Sequence, residues 1–180
     1  MGIASGRSYA SILRDFPQMG AESAFILEGG GIGIYQGKSI FKVIIDKKDV
    51  DDFVTATLKL KQVVVIICSE DAAYYHSIIN QETCHFLQYY YPNLKFVKDL
   101  RNITKPIIKM TVYDTLGSDK HSYPNLKHFN NRLQVVRSAP NWLDVSALGI
   151  NKASALNQLV KTLEITKQEV IKALKRVIKL

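Results

Sequence analysis

Two short segments, near opposite ends of the sequence, carry residue types suited to holding an anion. Ser5-Gly6-Arg7 follows the apolar pair Ile3-Ala4 and precedes a helical pattern. A hydroxyl and free amides where a strand gives way to a helix form a cradle for phosphate oxygens. Lys152 follows Leu148-Gly149-Ile150-Asn151 at the start of another helical pattern, where its ammonium would neutralise the same charge. Taken singly, Ser5 is equally a plain helix cap and Lys152 a surface lysine. Gly29, Gly30, Gly31 and Gly33 invite a nucleotide-loop reading, but that fingerprint needs G-x-G-x-x-G between a strand and a helix. Here the sixth position is Ile34 or Gln36, and Ile34-Tyr35 enters a strand. A glycine turn leading into a hairpin is the favoured reading, and it still permits close approach of backbone to a ligand.

Other groupings carry less. Cys68, His76, Cys84 and His85 follow the pattern C-x7-H-x7-C-H, which lacks the short paired step of structural zinc sites. Buried thiols and surface histidines account for it, and a solvated face accounts for His121 and His128. Tyr89-Tyr90-Tyr91 beside Lys95 and Lys98 could stack bases. Adjacent residues on a regular element point in different directions, however, so at least one belongs to a core and nucleic acid is a minor hypothesis. The lysine-rich C-terminal stretch from Lys167 to Lys179 could lie on an anionic membrane. Packing by an apolar stripe, with the lysines reaching water, explains the same pattern.

The composition sets the frame. Hydrophobic residues make up 47% and charged residues 22% of 180 residues, which excludes disordered and collagen-like classes. The 24 Lys and Arg against 16 Asp and Glu give a formal charge of +8, which favours anionic partners. The apolar run from Val63 to Cys68 is far too short to span a bilayer, which needs about 20 residues. Two cysteines and no charged-then-apolar leader imply a reducing, cytoplasmic setting without a signal peptide.

The elements that must position these residues alternate between strands and helices, so the class is mixed α/β or α+β. A helix capped by Ser8 is expected over residues 8–19, a short strand at Ala24–Leu27, and a hairpin over residues 32–45 turning at Gln36-Gly37. Asp49 is expected to cap a helix over residues 50–61 with Val50, Phe53, Val54 and Leu58 on one face. Strands follow at Val63–Cys68, residues 107–113, 133–137 and 142–145, with helices at residues 73–79 and 124–131. Lys152 opens a helix carrying Ala155, Leu156, Leu159 and Leu163, and Thr166 to Glu169 reads as a capping box for a last helix.

In this order and at this separation, the two anion-suited segments resemble the haloacid dehalogenase superfamily, and specifically its Cof-type phosphatases. Ile3-Ala4-Ser5-Gly6-Arg7 resembles the family's second motif. Ala24 to Tyr35 resembles the next core strand and the exit into a cap, and Ile107-Ile108-Lys109-Met110 resembles a cap strand. Trp142-Leu143-Asp144-Val145, then Gly149 to Leu156, resembles the return to the core and the third motif, and Leu163 to Ile171 the segment after it. The resemblance implies an α+β cap inserted in an incomplete Rossmann-like core: residues 1–42 partial core, 43–140 cap, 141–180 partial core.

It further implies a Mg²⁺-dependent hydrolase of small phosphorylated metabolites. Ser5 and Lys152 would be its catalytic remnants, and Gly6, Arg7 and Gly29 would contact the substrate. The family's D-x-D motif would lie some tens of residues before Ser5, whereas the sequence starts four residues upstream, and the later acidic Gly-Asp motif does not follow Ile171. Glu28 stands where the family often has an asparagine facing the phosphate, and it would repel the substrate. The expectation is a cap with parts of its core, inactive as this chain; the alternative is a non-catalytic binding protein on the same scaffold. Apolar faces left by missing strands, at Ile12, Leu13, Phe16, Leu156, Leu159 and Leu163, would find cover in a homodimer.

Overall fold

The computed structural model describes residues 2–19, 23–165 and 168. It places the strands in two sheets. The first contains β1 (Gly2–Ala4), β2 (Ala24–Leu27), β3 (Ile32–Tyr35) and β4 (Lys38–Lys42), in that spatial order. β1 pairs with β2 in parallel, and the other neighbours are antiparallel. Parallel neighbours need a crossover, and α1 (Tyr9–Asp15) supplies it. Ser8 caps this helix, its hydroxyl accepting from the Ser11 amide. Alternation along β2 sends Phe25 and Leu27 to one face, with Ile12 of α1, and Ile26 to the other. That second face is covered by Ala155 and Leu159 of α5 (Lys152–Thr162).

The second sheet runs β7-β6-β5-β8-β10-β9. Its strands are β5 (Val63–Cys68), β6 (Ala73–Tyr75), β7 (Leu94–Phe96), β8 (Lys109–Asp114), β9 (Leu133–Ala139) and β10 (Trp142–Ala147). The continuous apolar run of β5 follows from burial on both faces. Val65 and Ile67 meet Phe53 and Val54 of α2 (Lys47–Thr57), while Val64, Ile66 and Cys68 meet Leu87 of α3 (Gln81–Tyr90). Leu126 of α4 (Ser122–Leu126) and Phe129 complete the α2 side.

Several expectations shift. The cap of α2 is Asp46, not Asp49, because the Asp46 carboxylate accepts from the Lys48 amide; Asp49 instead meets Arg132 at 2.5 Å. The helix expected over residues 73–79 is β6, since Ala73, Tyr74 and Tyr75 pair with Cys68, Ile67 and Ile66, and the helix starts only after Asn80 caps it. Trp142 to Val145, expected to return to the core, belongs to the second sheet, where β10 lies between β8 and β9. The sheet thus extends past the expected boundary at residue 140. Ile12 and Leu159 are covered within the chain, whereas Phe16 is exposed. The Thr166 capping box and the last helix lie outside the described residues. No helix among those described is long and apolar enough to cross a membrane.

Candidate functional site

Backbone hydrogen bonds bring two turns of the first sheet's region together, and a glycine contact adds a third. The Ser5 amide donates to the Ile26 carbonyl at 2.8 Å, continuing the β1–β2 pairing by one residue. Past that point the Gly29 amide donates to the Ser5 carbonyl and the Glu28 amide to the Arg7 carbonyl, both at 3.2 Å. The turns after β1 and β2 are therefore stitched side by side. Ser5 Oγ accepts from the Arg7 amide at 3.2 Å, which orients the hydroxyl over its own turn.

The third turn joins through a glycine. Gly30 has φ of 117°, and a Cβ there would lie 2.5 Å from the Asn151 carbonyl oxygen and 3.2 Å from the Lys152 nitrogen. Only a residue without a side chain fits, because the backbone both takes a left-handed φ and touches another backbone. Asn151 caps α5, accepting from the Ala153 and Ser154 amides, and the Ser154 hydroxyl closes a capping box onto the Asn151 amide. Ser5, Gly29 and the start of α5 with Lys152 thus form one neighbourhood, gathered from segments far apart in sequence.

The side chain of Arg7 turns away along its helix. Its Nε donates to Ser11 Oγ at 2.9 Å and Nη2 to Asp15 at 2.6 Å. Asp15 in turn is held below the usual carboxylate range by its bonds to Arg14 and Arg7. Arg7 meets the stitched turns through its backbone, and Asp15 is bound up in this cluster.

Glu28 does not present a bare charge to the site. It is buried, and its Oε2 lies 2.7 Å from Lys109 Nζ, a contact of opposite charges whose angle falls short of an aligned hydrogen bond. Lys109 also donates to the Gly6 carbonyl at 2.7 Å. Burial alone would lower the lysine's affinity for its proton, but Glu28 and neighbouring groups outweigh it, and the ammonium titrates well above its ordinary range. The repulsion expected from Glu28 is corrected by this pairing. The only hint in the sequence was one lysine inside the otherwise apolar run Ile107-Ile108-Lys109-Met110.

Beside the pair lies a cleft of about 320 Å³ between α1 and the loop after β5, lined among others by Tyr9, Glu28, Ser69, Asp71, Tyr91 and Asn93. Burial pushes the Tyr91 hydroxyl and the Cys68 thiol upward, so both stay protonated and inert near neutrality. The three tyrosines divide as their phases require. Tyr91 is buried, Tyr90 meets Phe86 and Trp142, and Tyr89 lies beneath the Arg14 guanidinium at 4.4 Å. Cys84 contacts the Tyr75 hydroxyl at 4.0 Å.

The sequence profile of the haloacid dehalogenase-like hydrolases matches residues 1–173. The chain belongs to this family. It is 25% identical over 174 residues to the 5-amino-6-(5-phospho-D-ribitylamino)uracil phosphatase YbjI of Escherichia coli, covering 94% of this chain and 63% of that protein. The solved structure of SMU.1108c from Streptococcus mutans superimposes with a TM-score of 0.79 at 22% identity, over 92% of this chain and 63% of that one. The subclass IIB sugar phosphatase BT4131 gives 0.69 at 21% identity, with the same coverage, 92% and 63%. The fold is thus that of the subclass IIB phosphatases, and the chain spans less than two thirds of these relatives' length.

Members of the family generally use Mg²⁺. Among the described residues no three His, Cys, Asp or Glu side chains converge as a metal cage, and Glu28, beside Gly29, faces Lys109. The described residues by themselves do not fit a magnesium ion.

Proposed function

We propose that this chain supplies the phosphate cradle and the cover of a phosphatase acting on small phosphate esters, and that alone it holds phosphate without cleaving the ester. The observation that carries the reading is the junction of Ser5, Gly29 and the Asn151–Lys152 start of α5 through the bonds and the glycine contact above. In that junction the Ser5 hydroxyl and the turn backbone around Gly6 and Gly29 would meet phosphate oxygens. Lys152, at the N-terminus of α5, would add positive charge to that of the helix end. The ester's remaining body would occupy the cleft beside Tyr9 and Tyr91. YbjI takes its name from a phosphate ester of a ribityl chain, a substrate of the class this cleft would admit.

Hydrolysis by a covalent route needs a nucleophile about 3–3.5 Å from phosphorus. The acidic side chains at the cradle and its cleft are otherwise engaged: Glu28 with Lys109, Glu70 with Lys42, Asp71 with Lys105, and Asp15 on α1 with Arg7 and Arg14. The chain is therefore expected to release no phosphate from p-nitrophenyl phosphate or a polyol phosphate in the presence of Mg²⁺, while binding inorganic phosphate. Turnover above background would overturn the inactivity, and no binding of phosphate would overturn the cradle.

A further inference from the structure

Glu28 combines three features that disfavour one another. It is a carboxylate with 4% of its surface exposed, its φ of 51° lies in the left-handed region, and it borders a turn whose next residues are glycines. A left-handed non-glycine residue persists only where its surroundings over-determine it, and a buried charge only where it is paired. Lys109 meets both requirements from outside the turn. Its Nζ, equally buried, lies 2.7 Å from Glu28 Oε2 and 2.7 Å from the Gly6 carbonyl oxygen. Buried ion pairs are on average poor stabilisers, and apolar replacements of the pair often do as well, so this pair calls for a geometric reason. The two groups that Lys109 holds belong to different turns, one after β1 and one after β2, and these are the turns stitched by the Glu28–Arg7 and Gly29–Ser5 bonds. The lysine itself stands on β8, which is paired on both sides by β5 and β10, and its neighbour Ile108 packs in the core of the first sheet.

We propose that Lys109 is a positioning residue for the cradle: anchored in the second sheet, its ammonium holds Gly6 and Glu28 together and thereby fixes the spacing of the two turns that meet at Ser5 and Gly29. The consequence for phosphate rests on the function proposed above; the consequence for the turns does not. A movement of the second sheet against the first then reaches these two turns through the Lys109 side chain as well as through the packing of Ile108.

The test compares the wild-type chain with K109M and with the charge-neutral double variant K109M/E28Q, which leaves no buried charge unpaired. Amide hydrogen exchange is followed at Glu28 and Gly29, whose N–H groups stitch the turns, and at Val65 and Val112 in the second sheet. Inorganic phosphate is titrated in parallel by NMR. In the double variant, protection at Glu28 and Gly29 is expected to fall about tenfold or more while Val65 and Val112 keep theirs, since local opening is separable from global unfolding. Phosphate affinity is expected to fall about tenfold at an unchanged melting temperature. Unaltered protection at Glu28 and Gly29, or an equal loss at Val65 and Val112, would overturn the positioning role. A wild-type chain that binds no phosphate would overturn the proposed function, and the exchange data would still decide the role of Lys109.

Discussion

In the second sheet, both faces are covered by helices from the same stretch of chain: α2 and α4 on one side, α3 on the other. Its core side chains, Phe53, Met110, Val112, Leu133 and Leu143 among them, are essentially inaccessible to water and lie within residues 45–147. The first sheet is built differently. Its α1 face is completed by Ile108, which stands just before β8, and its buried carboxylate Glu28 is answered by Lys109 of β8. Its other face needs α5, which arrives only after the whole second sheet has been traced. The region carrying the candidate chemistry is thus the dependent one. A cradle assembled from three turns has little apolar area of its own, so its geometry is set by glycine contacts and by a charge supplied from a neighbour.

The strongest way to break this comparison is to cut each core separately. Phe53 and Phe25 are both fully buried, each edge-on to another ring, Phe129 and Tyr9 respectively. Removal of such a ring costs about 3–5 kcal/mol. Phe53→Ala is expected to shift the urea transition of Trp142, the single tryptophan, by that amount, because Trp142 lies on β10. Phe25→Ala should leave the Trp142 transition little changed while loosening amide protection at Ile26 and Leu27. Equal shifts of the Trp142 signal in both variants would mean that the second sheet is not self-sufficient.

A smaller effect is expected at the glycine junction. Gly30→Ala forces a side chain into a left-handed φ, at about 1–3 kcal/mol, and against the Asn151 carbonyl. The loss should appear as a detached start of α5, read from the exchange of the Ala153 and Ser154 amides, with Val65 unaffected. Retained protection at those two amides would remove the junction from the account.

Smaller again, and confined to the second sheet, is a titration. Burial alone would raise the Asp114 carboxyl, but bonds from Ser122 and His121 prevail and hold it below its ordinary 3.8. A depressed folded-state value means that the group's contribution is present above pH 3.8 and is lost as pH falls through the lower value. Stability measured by urea is therefore expected to fall below about pH 4, and less steeply in Asp114→Asn, itself weaker at pH 7. An identical pH dependence in the variant would exclude Asp114 as a source of the acid response.

Much of the fold was legible in local pattern. The Ser8 cap, the turn at Gln36-Gly37 and the strand Val63–Cys68 each follow from a few adjacent residues, and each is found as expected. Legibility failed where partners are remote. Ala73-Tyr74-Tyr75 has helical company in sequence, yet pairs with β5, where it supplies backbone hydrogen-bond partners along one edge of that strand. Trp142 to Ala147 gives no local sign that it inserts between β8 and β9. Of the candidate site, Ser5, Gly29 and Lys152 are expectations from the family resemblance, and the structure brings their turns together. The substrate contact expected of Arg7 likewise follows from the resemblance, and its guanidinium is engaged along α1. Lys109 stands out in the sequence only as one charge in a cap-like strand, since nothing in a sequence announces that a buried lysine faces a glutamate in another sheet.

Whether the three turns form one phosphate cradle is tested by titrating ¹⁵N-labelled chain with inorganic phosphate. Saturable shifts are expected, confined to the amides of Gly6, Arg7, Gly29, Gly30 and Lys152. These shifts should be lost in Lys152→Ala, whose exposed position should leave stability within about 0.5 kcal/mol of wild type. Shifts scattered over surface lysines, or shifts at these amides that survive in Lys152→Ala with unchanged affinity, would contradict it.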